Sequence, residues 1–453
     1  MSVSLRSINN CFEGALPAGI ASCSAEGMPN VTYVSQVHLV DDRHVAVTYQ
    51  FFNKTRSNIL ENPQVSLLLI DPYSGVQYRL GLIYKCTEAS GAVFDALKAK
   101  LDAVASMSGM SHVFHLKGVD IYEVVSTECM EENAVNVAPG SLASFSELNE
   151  ITQAISGCDQ LGLLLDTTLT RLADRFGMSH SMILFLNDDG QSLYTIASHG
   201  YVQQGAGAEV RIGEGIIGTA AQQARPIKIS NMQRENIMAD AVRQQANSDK
   251  QQYTFEPCIK LPGMQYPNSQ LAVPIEAKNT VLGVLFLESE KIATYTRDMQ
   301  DLVCSIANHL GTAILLCDDE THDSSLSGRT ESQPPVTDQI DAPEIKRRIK
   351  IRYYQADRSI FVDNDYLIKG VAGIILKRLL DIYLQQGRSE FTNRELRRDA
   401  ELCLPEVADN LEARLVLLQR RLEDKCPGIK MEKTGRGRFR LLVHRPVDLM
   451  SVS

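Results

Sequence analysis

The chain has 453 residues, of which 44% are hydrophobic and 22% are charged, a composition typical of ordinary globular proteins. This length is enough for about three domains of typical size. No apolar run approaches the roughly 18 residues that suggest a membrane span, and the N-terminus lacks a signal-peptide pattern, so we expect a cytoplasmic protein without a membrane partner. The ten cysteines are scattered and form no C-x-x-C pair, which argues against a metal site and against a secreted disulfide framework.

The net charge of −10 is unevenly distributed along the chain. Residues 343–453 contain 23 Lys and Arg against 16 Asp and Glu, a balance of +7, whereas residues 1–342 carry a balance of −17. A basic C-terminal module on an acidic body indicates a polyanion partner for that module. The alternative is a mixed-charge surface, because the excess of +7 is modest for about 110 residues.

Residues 1–130 show the pattern of short strands joined by turns. Val, Thr and Tyr are frequent in these segments, and one helix is predicted over about 93–105. Many short β-rich segments with turn signals at this spacing indicate a small barrel or sandwich. The predicted strands include Asn30–Leu39, His44–Phe52, Val65–Ile70, Val76–Cys86 and Val119–Val125.

The most informative stretch is Tyr49–Pro72, Y-Q-F-F-N-K-T-R-S-N-I-L-E-N-P-Q-V-S-L-L-L-I-D-P. It predicts the end of a strand, a cationic turn, a short helix stopped by Pro63 and a buried strand. Lys54, Thr55 and Arg56 lie at the predicted helix start, where free N–H groups and the helix dipole favour an anionic group. The alternative is a solvated basic turn between two strands.

Three runs in residues 1–130 resemble the FMN-binding split barrel of the pyridoxamine 5'-phosphate oxidase-like superfamily. They are G-I-A-S-C-S-A-E-G-M-P-N, D-D-R-H-V-A-V and F-F-N-K-T-R-S-N-I-L-E-N-P-Q-V-S-L-L-L-I-D-P. The resemblance implies an FMN cofactor whose phosphate is held by Lys54, Thr55 and Arg56, with Asn58 nearby. It also implies a homodimer formed through the barrel. No residues match a pyridoxamine-phosphate substrate site.

Residues 131–147 are a predicted connector to an amphipathic helix over 148–172. Apolar residues recur there at spacings of three and four, beginning with Leu148, Ile151 and Ile155. The pattern predicts one long helix. It either pairs across the dimer or packs as the first helix of the next domain, and both can hold.

Residues 176–317 alternate predicted strands and helices. The run R-I-G-E-G-I-I-G lacks the Lys-Ser/Thr ending of a phosphate-binding loop and is typical of a tight strand-to-helix turn. Together with L-A-V-P-I-E-A-K-N-T-V-L-G-V-L-F-L-E-S it resembles a GAF sensory domain, which we place at 148–317. No cyclic-nucleotide signature or bilin-type cysteine is present, so the GAF ligand stays unknown.

Residues 318–342 are acidic, rich in Ser and Thr, and contain Pro334 and Pro335, which predicts a disordered linker. Residues 343–453 follow as a separate module. The pattern predicts two strands, a helix over about 369–385 and a short helix capped by Thr392. A longer helix is predicted from about Pro405 to Asp424, followed by a hairpin around T-G-R-G.

This order, ending in T-G-R-G-R-F-R-L, resembles the winged-helix effector domain of response-regulator transcription factors. In that family the last long helix enters the major groove of duplex DNA and the wing contacts the backbone or the minor groove. The resemblance places Asn410, Arg414 and Arg421 on bases or phosphates, and Arg436 and Arg438 on the wing. The alternative is a protein-binding module, because three acidic residues on the same helix would repel phosphate.

The sequence therefore predicts an α+β multidomain protein with an N-terminal split β-barrel, a central GAF α/β sandwich and a C-terminal winged helix. No catalytic constellation or metal-ligand cluster is recognised. Domain order favours a sensor or regulator in which the flavin barrel and the GAF domain control a DNA-binding output. The alternatives are an FMN-dependent oxidoreductase with regulatory domains, since bound flavin can pass electrons, and a cofactor-free scaffold.

Overall fold

The computed structural model describes residues 3–452 except 35, 50–52, 108–115, 131–144, 188, 236–260, 320–347, 357, 364, 400 and 403–410. Most of the predicted connector at 131–147 and of the predicted linker at 318–342 lies outside this described part. The described residues form four sheets with packed helices. None of the described helices combines the length and the apolarity needed to cross a membrane.

The N-terminal sheet contains seven antiparallel strands in the order β2-β1-β5-β6-β7-β4-β3. β6 and β7 are 12 residues long and pair along most of their length, so they join the two halves of the sheet. A 3-10 helix, Leu5–Phe12, and two helices cover it: α1, Asn53–Glu61, and α2, Ala92–Met107. The strands are β1 Ala18–Cys23, β2 Pro29–Val34, β3 Val37–Leu39, β4 His44–Tyr49, β5 Gln64–Ile70, β6 Gln77–Glu88 and β7 Gly118–Cys129.

Alternation along these strands builds the barrel core. Ile20, Leu67 and Leu80 point inward and pack with Ile8 of the 3-10 helix. The predicted strand-rich pattern and the helix over 93–105 are confirmed, whereas the 3-10 helix was not predicted from the sequence.

The central sheet is antiparallel, with the order β10-β9-β8-β13-β12-β11. One face packs on α3, α4 and α6, and the opposite face packs on α5. The elements are α3 Phe145–Ser156, α4 Leu161–Phe176, β8 His180–Leu186, β9 Ser192–His199, β10 Glu209–Arg211, α5 Gly215–Gln223, β11 Ile227–Ile229, β12 Ser269–Ala277, β13 Thr280–Ser289 and α6 Arg297–Asp319.

The single helix predicted over 148–172 is wrong, because the chain forms α3 and α4 with a break between them. α3 ends at Ser156, directly before Gly157, and Gln160 is extended at the start of α4. Ile151 and Leu165 nevertheless enter the same core. The spacing of apolar residues therefore continues across the break, although the helix does not.

The C-terminal module has two small sheets. β14, β15, β16 and β20 form the first sheet, in which β14 and β20 are parallel, and β17, β18 and β19 form the second. Thr392 accepts a hydrogen bond from the backbone N–H of Glu395 at 3.2 Å, which confirms the predicted cap. The elements are β14 Ile349–Tyr354, β15 Ser359–Val362, β16 Asp365–Ile368, α7 Gly370–Gln386, β17 Glu390–Thr392, α8 Asn393–Arg398, α9 Leu411–Lys425, β18 Ile429–Gly435, β19 Arg438–Val443 and β20 Val447–Val452.

A buried carboxylate joins the N-terminal barrel to the central domain. Glu13 is 4% exposed, forms an ion pair with Lys228 of β11 and accepts the backbone N–H of Arg297 at 2.7 Å, at the start of α6. A second contact lies at α5, where the backbone N–H of Gly215 donates to Oγ of Ser106 in α2 at 2.8 Å. The barrel thus supplies hydrogen-bond acceptors for backbone N–H groups at the starts of two central-domain helices.

We expect Glu13→Gln to lower the free energy of unfolding by about 3 kcal/mol, because the amide leaves the Lys228 ammonium buried without its counter-charge. Chemical denaturation of the full chain measures the change. Asp42→Asn is the matched control, since Asp42 pairs with Arg6 while 61% exposed and its loss should alter stability little. Equal changes in the two variants would contradict the role given to Glu13.

Candidate functional site

The predicted phosphate site lies on α1, the short helix that follows β4. The helix ends where Pro63 cannot supply a backbone N–H, after a final bond from the N–H of Asn62 to the carbonyl of Asn58 at 2.7 Å. All four predicted cofactor residues therefore lie within the first two turns of one helix. Their side chains nevertheless leave it in different directions.

Lys54 is exposed, whereas Thr55 and Asn58 are 6% and 4% exposed and face the sheet. Nδ2 of Asn30 on β2 donates to Oγ1 of Thr55 at 2.9 Å, and Nδ2 of Asn58 donates to Oγ of Ser22 on β1 at 3.1 Å. These two bonds hold α1 against β1 and β2. Thr55 and Asn58 thus support the helix from inside the barrel.

Arg56 points to the other half of the sheet, where it forms an ion pair with Asp120 of β7. Its second terminal nitrogen donates to Oγ1 of Thr87 at 2.9 Å, and that hydroxyl donates to Asp120 at 2.6 Å. The Tyr84 hydroxyl lies 2.7 Å from Thr87 Oγ1. The guanidinium is thereby neutralised within a polar network that joins α1 to β6 and β7.

Sequence reasoning missed the role of Asp120, which is 4% exposed. Its signal is a carboxylate inside the otherwise apolar run G-V-D-I-Y, since a charge in a buried strand requires a partner. Burial, followed by the nearby Asp120 charge, raises the pKa of Tyr122 well above its ordinary value, so this phenol stays neutral. The inner end of the network therefore carries one carboxylate and one cation.

A phosphate group fits the outer end of α1 in part. Lys54 supplies an exposed ammonium beside the positive end of the helix, which suits an anion. Arg56 reaches Asp120 instead and would act on a bound anion only through the network. The phosphate contact stays a prediction, and Lys54 is the cation best placed for it.

A second polar site lies in the central domain around Glu288, a carboxylate that is 4% exposed. It accepts hydrogen bonds from the Tyr201 hydroxyl at 3.0 Å, the backbone N–H of Met264 at 3.0 Å and Nε2 of Gln270 at 2.7 Å. Within the described part of the chain, the buried Tyr295 hydroxyl has no hydrogen-bond partner. Three neutral donors therefore satisfy the carboxylate, and this corner of the sheet is polar.

The predicted DNA contacts on the C-terminal module divide into buried and exposed residues. Arg421 is 2% exposed and donates to the carbonyls of Leu367 and Tyr366 at 2.8 and 3.2 Å. Burial lowers its pKa, although the nearby Asp424 raises it. Arg421 thus holds α9 on β16 instead of facing solvent.

Arg414 faces the central domain. It is 7% exposed, its guanidinium lies 4.8 Å above the ring of Tyr194, and it donates to Oδ1 of Asn187 at 3.3 Å. Asn410 lies outside the described residues. Arg436 and Arg438 are exposed at the β18–β19 hairpin, and their role as a DNA-contacting wing stays a prediction.

The face of α9 opposite its own core is covered by the central domain. Val416 lies against Gly162 of α4, and Arg420 pairs with Asp166 at 2.7 Å and donates to the carbonyl of Ile196 at 2.7 Å. Ala413 is fully buried on this same face. Contact between DNA and α9 would therefore require the helix to leave the central domain.

Two family models match separate parts of the chain. The family model of pyridoxamine 5'-phosphate oxidase matches residues 7–124, and the GAF domain model matches residues 161–315. The predicted resemblances of the N-terminal part to the split-barrel family and of the central part to GAF domains are confirmed by these matches. No match among curated proteins was found.

Solved structures are similar to parts of the chain. The GAF domain of an Acinetobacter phosphoenolpyruvate-protein phosphotransferase is 19% identical, covers 40% of this chain and 96% of its own, and has a TM-score of 0.31. An FMN-binding protein of Syntrophomonas wolfei subsp. wolfei is 17% identical over 28% of this chain and 83% of its own, with a TM-score of 0.24. HupZ of Group A Streptococcus is 19% identical over 28% and 95%, with a TM-score of 0.22.

Proposed function

We propose that this protein is a regulator in which a flavin-binding split barrel and a GAF domain control the C-terminal module. The observation that carries the proposal is the pair of interfaces on the GAF domain. The barrel contacts it through Glu13 and Ser106, and α9 contacts it through Arg414 and Arg420. A change in the barrel therefore has a continuous packed route to the C-terminal module.

FMN is the proposed ligand of the barrel, with its phosphate at the start of α1. The match to the pyridoxamine 5'-phosphate oxidase family and the exposed Lys54 at the helix start support this assignment. Bound FMN would supply a redox-active isoalloxazine ring. Lys54 would bind the phosphate, while Thr55 and Asn58 would fix the helix and Arg56 would link it to β7.

A homodimer through the barrel is also proposed. A row of small or apolar residues crosses the outer face of the sheet on four paired strands. It consists of Val31, Ala21, Ser66 and Gly81. Val31 is 74% exposed, as expected for a surface awaiting a partner. The helix region 148–172 is a weaker dimer surface, because α4 already contacts α9.

DNA binding is the proposed output of the C-terminal module. The order of α7, α8 and α9 before the β18–β19 hairpin and the exposed Arg436 and Arg438 support it. Because α9 is covered by the GAF domain, we propose that release of α9 from this domain switches DNA binding on.

Lys54→Ala should weaken FMN binding by at least about tenfold, because it removes the exposed ammonium at the phosphate position. Lys54→Ala with Arg56→Ala should abolish flavin retention. Because the second change leaves the buried Asp120 without its cation, circular dichroism checks that the barrel of this variant is folded. Visible absorbance of the purified full chain and a fluorescence titration with FMN measure both effects.

The control for charge is Arg6→Ala with Arg43→Ala, two exposed cations near the opposite end of β4. Retention of FMN by the Lys54 and Arg56 double variant would show that the phosphate position is wrong. A wild-type protein that takes up no FMN would remove the input of the proposed regulator. Turnover of NADPH by the loaded protein would instead favour the oxidoreductase alternative.

Asp166→Lys should strengthen binding of duplex DNA severalfold, because it repels Arg420 and loosens α9 from α4. Fluorescence anisotropy at several salt concentrations measures the affinity, which should fall steeply with salt. Asp174→Lys makes the same charge change two turns further along α4 and should bind DNA like the wild type. Absence of salt-dependent binding by every variant would assign the module to protein contacts.

A further inference from the structure

An open cavity of about 310 Å³ lies between the barrel and the GAF domain. It is separate from α1 and from the cluster around Glu288, so the proposed function does not use it. Its walls come from the 3-10 helix, β3, α2, β11 and α6. The polar lining includes Asn9, Glu13, Gln36, His38, Lys100 and Lys228.

Lys100 of α2 is the unusual group in this cavity. Its ammonium donates to the Gln36 side-chain carbonyl, a neutral partner, and no carboxylate of the described residues lies within ion-pair distance of it. The pKa of Lys100 is lowered to about 8, mainly by burial and also by the charges of Lys228 and Arg234, while the charges of Glu235 and Glu13 oppose this shift. A part-buried ammonium whose hydrogen-bond partner is neutral is destabilising.

The other titratable groups do not supply that counter-ion. Glu13 is committed to Lys228 and to the backbone N–H of Arg297. His38 of β3 is neutral, because burial and the charges of Lys100 and Lys228 hold its pKa well below the ordinary value.

At the rim, α6 presents the exposed Arg297 and Asp301, whose opposite charges offset each other. Beyond β11, Arg234 and Glu235 offset each other in the same way. The interior therefore keeps an excess of positive charge at Lys100.

We propose that this cavity binds a small oxyanion, a phosphate- or carboxylate-bearing metabolite, whose anionic group forms an ion pair with Lys100. The ring of His38 and the amide of Gln36 line the same cavity and offer neutral hydrogen-bond donors to it. The volume is at the lower end of the range for small-molecule sites, which suits a compact ligand. Because both domains line the cavity, the oxyanion stabilises their junction when it binds.

Inorganic phosphate and succinate are the two probes, and they distinguish a phosphate from a carboxylate ligand. Calorimetric titration of the full chain should show binding of at least one probe, which should also raise its thermal unfolding temperature. Lys100→Gln should weaken that binding at least about tenfold. Lys98→Gln, on the same helix but 52% exposed and facing Asp102, should bind like the wild type.

Two further readouts separate binding from a merely structural role. Without ligand, Lys100→Gln should unfold at the same temperature as the wild type or higher, because it removes a part-buried charge that has only a neutral partner. The wild-type affinity should fall as the pH rises through about 8, since Lys100 then loses its proton, and Lys100→Gln should lack this dependence.

Failure of both probes to bind the wild type would overturn the proposal. So would equal binding by Lys100→Gln, or a pH profile that this variant shares. None of these results depends on whether the barrel holds FMN, so the test is independent of the proposed function.

Discussion

The arrangement of the molecule depends on a buried charge, the carboxylate of Glu13. A carboxylate removed from water needs compensating partners, and Glu13 finds both of them in the GAF domain, at Lys228 and at the backbone N–H of Arg297. These groups belong to β11 and to the start of α6, which packs along β12 in the GAF core. The position of the barrel is thereby linked to α6, the long helix of the central domain.

The second constraint is the burial of α9 on almost every side. Leu411, Leu415 and Leu418 face the C-terminal core, while Ala413 and Val416 face the GAF domain. A helix that is apolar on opposite faces is typically enclosed between two bodies. The helix that resembles a DNA-binding helix therefore forms an interface within the chain. It could bind DNA only if it lost its contacts with the GAF domain.

Much of the fold could be predicted from local pattern, because strands, caps and turns have local causes. Pro63 fixed the end of α1, and Thr392 marked the start of α8. The two-helix arrangement of α3 and α4 could not be predicted, since the apolar period continues through Gly157. The terminal strand β20 was missed because it gains its partner, β14, only in the tertiary fold.

The candidate site was predictable in position but not in the orientation of its side chains. The run N-K-T-R-S-N located the helix start, yet the pairing of Arg56 with Asp120 joins residues 64 positions apart. Arg421 shows the same limit, because an arginine on a helix resembles a DNA contact until the fold shows that the carbonyls of Tyr366 and Leu367 accept its hydrogen bonds. Neither partner leaves a signal near the arginine in the sequence.

Amide hydrogen exchange of the full chain with and without FMN tests most directly whether the barrel is coupled to the C-terminal module. We expect FMN to slow exchange in α1 and also to change exchange at the start of α6 and in α9, because packed contacts join these elements. A change confined to the barrel, with identical exchange in α9, would contradict the coupling.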